Sequence, residues 1–157
     1  MIAIGETAPD FTLPATGPEG EGPLTLSALR PAPVVLYFYP KDNTPGCTTE
    51  ALDFTRLAPE FAALGAVVVG VSKDSLAQHC KFAAKHALGV RLASDAEADT
   101  CERYGVWREK SMYGKTFMGI ERSTVLIDGA GRVAALWPKV KVKDHAEAVL
   151  EAVRQIV

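Results

Sequence analysis

The chain has 157 residues, of which 48% are hydrophobic and 23% charged, the composition of one ordinary globular domain. Its 17 basic and 19 acidic residues give a net charge of −2, so no positive surplus supports binding to nucleic acid. The longest apolar runs fall far short of the ~20 residues that span a bilayer. The first residues also lack the pattern of a signal peptide. We therefore expect a single domain over residues 1–157, in the cytoplasm and without membrane attachment.

The first predicted elements lead to a polar loop. Residues 14–23 are rich in Gly and Pro and predict an irregular excursion. The run Val34–Tyr39 is β-branched and aromatic throughout, which is typical of a strand buried on both faces. Pro40 ends this strand, and the polar loop Lys41–Gly46 follows. Apolar residues at helical spacing then predict a helix that begins at Cys47.

Helices and strands continue to alternate through the middle of the chain. Pro59 lies inside the helical pattern and predicts a kink or an early stop. A second buried strand is predicted at Ala66–Val71, and a second helix begins at Ser72–Asp74. A short strand at Arg91–Ala93 and a short helix at Ala96–Tyr104 follow.

The last third of the chain predicts an antiparallel end to the sheet. Arg108–Lys115 is a polar loop, and Ser123–Asp128 and Arg132–Trp137 are strands of a hairpin. Asp144 is the predicted N-cap of a closing helix. Parallel β-α-β units followed by a hairpin and a helix indicate an α/β protein. Its predicted architecture is a mixed central sheet with helices on both faces, which is the layout of a thioredoxin-like fold.

The segment that carries chemistry lies at the start of the first helix. Free N–H groups and the positive end of the helix dipole stabilise a thiolate over a thiol at Cys47. Thr44 lies three residues upstream, where its hydroxyl can face the same pocket, and Gly46 permits close approach of the backbone. The total of three cysteines is odd and argues against a disulfide framework. A buried structural cysteine is the alternative interpretation of Cys47.

The spacing Pro40-x3-Thr44-x2-Cys47 resembles the signature of peroxiredoxins. The wider segment Tyr-Pro-Lys-Asp-Asn-Thr-Pro-Gly-Cys-Thr-Thr-Glu is similar to the peroxiredoxin Q group, also called bacterioferritin comigratory protein. The resemblance extends over nearly the whole chain. Similar motifs lie at residues 5–13, 70–74, 104–105 and 121–128.

The resemblance implies a role for each residue of the site. Cys47 attacks a peroxide oxygen and becomes a sulfenic acid. Thr44 hydrogen-bonds the thiolate and the peroxide, and Arg122 places its guanidinium beside Cys47. Pro40 shields the sulfur from water, and the amides of Gly46 and Cys47 receive developing negative charge. The implied enzyme is a monomer that reduces hydrogen peroxide and organic hydroperoxides without a metal or organic cofactor, and thioredoxin or a similar dithiol recycles it.

The cysteine that resolves the sulfenic acid is less clearly marked. Some members of the group carry it five residues after the reactive one, where this chain has Leu52. Others carry it on the following helix, which here contains Cys80. A Cys47–Cys80 disulfide requires local unwinding, so few contacts are expected to hold residues 45–50 or 75–83. The alternatives are that Cys80 packs against the core, that Cys101 is the partner, or that an external thiol resolves the enzyme.

Other functions have weaker support. Without the resemblance, Arg122 would be interpreted as a surface salt bridge with Glu121 or Glu50. A thiol–disulfide oxidoreductase usually needs C-x-x-C, and the fourth position here is Glu50. His79 has no paired cysteine motif around it that predicts a metal site, and His145 is expected at the solvated surface. A redox-responsive holdase would show no repeated turnover with peroxide and a reductant.

Overall fold

The computed structural model describes all residues from 1 to 157. The chain forms nine strands and four α-helices, with a 3-10 helix at Leu26–Leu29. The strands are β1 (Thr12–Thr16), β2 (Gly22–Thr25), β3 (Val34–Phe38), β4 (Val67–Ser72), β5 (Arg91–Ser94), β6 (Trp107–Met112), β7 (Lys115–Ile120), β8 (Ser123–Ile127) and β9 (Val133–Trp137). The helices are α1 (Pro45–Ala63), α2 (Leu76–His86), α3 (Thr100–Arg103) and α4 (His145–Ile156).

Seven strands form one mixed sheet in the order β2-β1-β5-β4-β3-β8-β9. Strands β3, β4 and β5 are parallel and are connected through α1 and α2. Strand β8 pairs antiparallel with β3, and β1 pairs antiparallel with β5. The prediction of a mixed central sheet in a thioredoxin-like fold is therefore confirmed.

The sheet separates two hydrophobic cores, because side chains alternate across strand β3. Val35 and Tyr37 belong to the core beneath α1, α2 and α4, whereas Leu36 and Phe38 belong to the core on the opposite face. Cys101 of α3 lies in that second core. Helices thus cover both faces, as the sequence predicted. No helix of the chain combines the length and the hydropathy that crossing a membrane requires.

The expected irregular excursion at residues 14–23 is instead an antiparallel hairpin of β1 and β2. Pro14 lies directly opposite Pro23 in this pair. Proline has no N–H to donate, so the two prolines occupy a position of the ladder where no such bond is exchanged. This register explains how a Gly- and Pro-rich segment joins the edge of the sheet.

The prediction of a polar loop at residues 108–115 is also wrong. It belongs to a separate two-stranded hairpin of β6 and β7, whose turn consists of Tyr113 and Gly114. Both turn residues have positive φ, at 53° and 74°. This conformation matches the right-handed twist of the strands and permits a two-residue turn.

Several helix boundaries also differ from prediction, and α2 begins at Leu76, after the N-cap Ser75, instead of at Ser72–Asp74. Helix α1 begins at Pro45 and runs through Pro59 to Ala63, so the proline does not stop it early. Helix α3 covers only Thr100–Arg103. Asp144 precedes α4 with a left-handed φ of 59°, and its side chain makes no capping hydrogen bond. Asp144 thus occupies the predicted N-cap position of α4, but it does not cap the helix through its side chain.

Candidate active site

Cys47 lies in the first turn of α1, where the loop after β3 enters the helix. Thr44 is the N-cap residue and Pro45 is the first helical residue, a position where proline loses no helical hydrogen bond. Cys47 is 1% exposed. Its sulfur is therefore sheltered from bulk water at a helix end whose N–H groups lack intrahelical acceptors.

Arg122 reaches this sulfur from a distant part of the chain. It directly precedes β8, and Ser123 at the start of β8 pairs with Phe38 at the end of β3. The antiparallel register therefore places Arg122 at the end of the sheet where residues 39–44, the reactive loop between β3 and α1, begin. Arg122 Nη2 lies 3.4 Å from Cys47 Sγ. The alternative salt bridge of Arg122 with Glu50 does form, but it is not at the surface, because the Arg122 side chain is only 17% exposed.

Gly46 leaves room for the guanidinium. A Cβ atom at this position would lie 3.1 Å from Arg122 Nη2, tighter than nearly all Cβ contacts in proteins. A Cβ at this position would therefore require the guanidinium or the backbone to shift by a few tenths of an ångström. The sequence predicted that Gly46 permits a close approach of the backbone. In the structure, the group that lies close to Gly46 is the guanidinium of Arg122.

Glu50 completes the contacts of Arg122 from the next turn of α1. Its Oε1 accepts a hydrogen bond from Arg122 Nη1 at 2.7 Å, while its Oε2 is buried without a partner. The carboxylate is 1% exposed. Burial raises the pKa of Glu50 to about 7, and the positive charge of Arg122 opposes that shift. From the sequence, Glu50 was named only as an alternative partner of Arg122 in a surface salt bridge.

Thr44 and Pro40 border the reactive loop. The Thr44 hydroxyl donates to the Lys41 carbonyl at 2.8 Å and makes no hydrogen bond to Cys47. The expected bond between Thr44 and the sulfur is thus not present in this structure. Pro40 is half-buried at the bend that follows β3.

Two further residues near Arg122 were not predicted. His145 was expected at the surface, but it is 6% exposed, and its Nε2 lies 2.8 Å from the Thr124 hydroxyl. Burial and the charge of Arg122 lower the pKa of His145 to about 4, so its ring is neutral. Lys110 of the β6–β7 hairpin also approaches the site, and burial followed by the charge of Arg122 lowers its pKa.

The other two cysteines lie in different surroundings. Cys80 is half-buried on α2, so the alternative that it packs against the core is wrong. Its thiol donates to Glu21 Oε1 at 2.9 Å, and this hydrogen bond, followed by burial, raises the pKa of Cys80. Cys101 is fully buried on the opposite face of the sheet from Cys47. No two of the three cysteines form a disulfide.

Contacts at residues 75–83 are more numerous than expected. Ser75 and Gln78 form a reciprocal capping box at the start of α2. His79 is completely buried and hydrogen-bonded to Asp42 in the reactive loop. The prediction that few contacts hold this segment is therefore wrong, because α2 is fixed both at its cap and through a buried histidine.

Comparison with known proteins agrees with this geometry. The sequence profile of the AhpC/TSA family matches residues 4–136. The chain is 49% identical to peroxiredoxin Bcp of Bacillus subtilis (strain 168) over 155 residues, covering 99% of this chain and 97% of the relative. It is 48% identical to a putative peroxiredoxin bcp of Coxiella burnetii over 149 residues, covering 95% of this chain and 97% of the relative.

A solved structure supports the same assignment. Bacterioferritin comigratory protein of Xanthomonas campestris superposes with a TM-score of 0.88 at 44% identity, covering 99% of this chain and 97% of that chain. That structure was described in connection with alkyl peroxide reduction. A thiol buried at a helix N-terminus against an arginine is consistent with the same chemistry. This chain therefore belongs to the AhpC/TSA family and is a thiol peroxidase of the Bcp, or peroxiredoxin Q, group.

Proposed function

We propose that this enzyme reduces hydrogen peroxide and organic hydroperoxides through a sulfenic acid at Cys47. The contact between Arg122 Nη2 and Cys47 Sγ is the observation that carries the proposal. The thiolate attacks one peroxide oxygen, and an S–O bond forms as the O–O bond breaks. The sulfur is oxidised to the sulfenic acid, while the peroxide is reduced to an alcohol or water after taking up a proton.

Arg122 contributes more than stabilisation of the thiolate. Complete ionisation of a thiol with an ordinary pKa raises the thiolate fraction at neutral pH only about 30-fold. Oriented donors that meet charge developing on the peroxide oxygens act on the transition state itself. Arg122 is pre-positioned for this task, because Glu50 holds one of its nitrogens and leaves the other facing the sulfur.

The surrounding residues orient the peroxide and exclude water. The amides of Gly46 and Cys47 lie in the first turn of α1 and provide donors for oxygen. We assign Thr44 to the peroxide, because rotation of its hydroxyl away from Lys41 frees a donor at the mouth of the site. Pro40 shields the sulfur from the side of β3.

Cys80 is the proposed resolving cysteine. Its thiol attacks the sulfur of the sulfenic acid, an S–S bond forms, and the hydroxyl leaves as water. The half-buried position of Cys80 supports this role, whereas Cys101 is sealed beneath the other face of the sheet. Thioredoxin or a similar dithiol then reduces the disulfide. We propose that the enzyme acts as a monomer in the cytoplasm, where thiols are kept reduced.

Intact mass after one equivalent of peroxide tests this function. Wild type is expected to lose two hydrogens and two free thiols per chain, whereas Cys80→Ser gains one oxygen and, when a second equivalent of peroxide is added, a second oxygen as the sulfinic acid. Cys101→Ser serves as the matched control and should behave as wild type. An internal disulfide in Cys80→Ser would instead assign Cys101, and its absence from wild type would assign an external thiol. Failure of Cys47→Ser to abolish turnover with thioredoxin would overturn the proposal.

A further inference from the structure

A buried polar network connects the reactive loop to α2. Asp42, two residues before Thr44, is 6% exposed, and its carboxylate accepts from the Tyr39 hydroxyl at 2.7 Å. The other oxygen of Asp42 lies 2.7 Å from His79 Nδ1. His79 is fully buried and directly precedes Cys80 on α2.

Both ring nitrogens of His79 have hydrogen-bond partners, and these hold the Asp42–His79 pair in place. His79 Nε2 lies 3.1 Å from the Ala93 carbonyl, which can only accept, so this nitrogen carries a proton. His79 Nδ1 faces the Asp42 carboxylate, so the ring bridges Asp42 and the Ala93 carbonyl. Replacement of either partner therefore leaves a buried polar group unsatisfied, and such a loss is costly inside a protein. Asp74 also holds the reactive loop, because its carboxylate accepts a hydrogen bond from the Asp42 N–H at 3.0 Å.

A metal ion does not explain this cluster as well as the hydrogen bonds do. Ligand atoms of Asp42, Asp74 and His79 lie within 4.8 Å of one another. Each of these atoms has a donor or acceptor within the protein, including the Ser72 hydroxyl at 2.6 Å from Asp74. The cluster is thus a satisfied structural network.

We propose that the buried Asp42–His79 pair is a positioning latch that holds the loop before Cys47 and the helix of Cys80 in their reduced arrangement. The pair has to break before the two cysteines can bond. His79 is adjacent to Cys80, so displacement of the Cys80 backbone toward Cys47 withdraws His79 from Asp42. Opening the latch frees both segments at once, because Asp42 also belongs to the loop that leads into α1. This inference rests on the proposed role of Cys80 as the resolving cysteine.

Two substitutions at His79 separate the effect of losing the hydrogen bond to Asp42 from the effect of altered packing. In His79→Asn the side-chain amide overlays Nδ1 and retains a donor toward Asp42, whereas in His79→Gln it overlays Nε2 and retains the donor toward Ala93. Val153→Ala in α4 controls for general loss of stability, because Val153 is fully buried and belongs to neither of the two segments. Quenched-flow intact mass follows two steps after peroxide addition: formation of the sulfenic acid, and its conversion to the disulfide.

The latch predicts that His79→Gln converts sulfenic acid to disulfide about tenfold faster than wild type and accumulates less sulfinic acid. His79→Asn should remain near the wild-type rate, and Val153→Ala should not accelerate the step. Equal conversion rates in wild type, His79→Gln and His79→Asn would overturn the latch while leaving Cys80 as the resolving cysteine. Absence of the Cys47–Cys80 disulfide from wild type would instead overturn the proposed function.

Hydrogen exchange of the wild-type enzyme gives a second test if the His79 variants fail to fold. The latch predicts that residues 40–50 and 76–82 lose amide protection together in the disulfide form. In the reduced form, Asp42→Asn should increase exchange in both segments. Full protection of residues 76–82 in the disulfide form would contradict the latch.

Discussion

Glu50 and Arg122 form a 2.7 Å ion pair in which the carboxylate is almost completely buried, while a second guanidinium nitrogen remains directed at the sulfur of Cys47. Removal of one partner from such a pair leaves the other charge without compensation in the protein interior. The pair therefore determines both where the guanidinium points and how the site responds to pH.

Arg122→Lys is expected to slow peroxide attack on Cys47 by about 10²-fold. Lysine keeps the positive charge but cannot contact Glu50 and the sulfur through two nitrogens of one planar group. The loss should persist at a pH where the thiol is fully ionised, and stopped-flow measurements over a pH series check this. Complete recovery at high pH would show that Arg122 acts on ionisation alone.

Thr44→Val is expected to reduce the rate of peroxide attack by about tenfold, because a donor to the peroxide is lost at nearly constant volume. Thr44→Ser retains the hydroxyl and should keep most of the rate. The free energy of unfolding should change little in either variant, since the Thr44 hydroxyl bonds only the Lys41 carbonyl near the surface. A Thr44→Val enzyme with the wild-type rate would remove Thr44 from the peroxide site.

The raised pKa of Glu50 makes the free energy of unfolding fall as pH rises toward neutrality. Its pKa is raised from 4.5 to about 7 in the folded chain, so the folded state holds a proton there that the unfolded state has released. This contribution is fully present below pH 4.5 and is lost by about pH 7. Relative to Glu50→Gln, wild type should lose on the order of 3 kcal/mol of unfolding free energy across this window.

Urea unfolding at several pH values measures this difference for Glu50. Most other groups titrate alike in wild type and Glu50→Gln, so the difference between them isolates the carboxylate. Parallel pH profiles for the two proteins would contradict the raised pKa.

His145 has the opposite effect on stability. Its pKa is lowered from 6.5 to about 4, so the unfolded chain binds a proton there that the folded chain does not. The contribution is fully present above pH 6.5 and is lost as pH falls toward 4. His145→Gln can retain a hydrogen bond to Thr124, and it should weaken the acid sensitivity of the fold. Acid unfolding followed by circular dichroism provides the measurement, and an unchanged midpoint would show that His145 does not contribute.

Glu21 is expected to suppress the reactivity of Cys80 in the reduced enzyme. The hydrogen bond to the Glu21 carboxylate is the main cause of the raised pKa of Cys80. Glu21→Gln removes the negative charge and should lower that pKa, which raises the rate of alkylation by iodoacetamide near neutral pH. Rates are compared in a Cys47→Ser background, where the buried Cys101 provides an internal unreactive control. Unchanged alkylation would show that Glu21 does not govern the thiol.

The sequence alone identified the features that depend on local order. The buried strand, Pro40, Thr44 and Cys47 follow one another within a short segment, so their strand–loop–helix arrangement could be predicted together with the chemistry of a helix N-terminus. The buried strands and the helices between them likewise follow from apolar patterns. Segments that depend on turn geometry or edge pairing were missed, because a Gly- and Pro-rich stretch and a polar stretch fit loops as well as the hairpins observed at β1–β2 and β6–β7.

Residue spacing did not indicate which distant residues meet at the sulfur: the resemblance implied Arg122, and only the tertiary structure shows how it reaches Cys47. The antiparallel register of β3 and β8 brings Arg122 to Cys47 across 75 positions of the chain, and local spacing contains no information about that register. The same is true of His145, whose burial depends on how α4 packs against α1. Cys80 and His79 are neighbours in sequence, yet the path of α2 over the sheet leaves one half-buried and encloses the other completely.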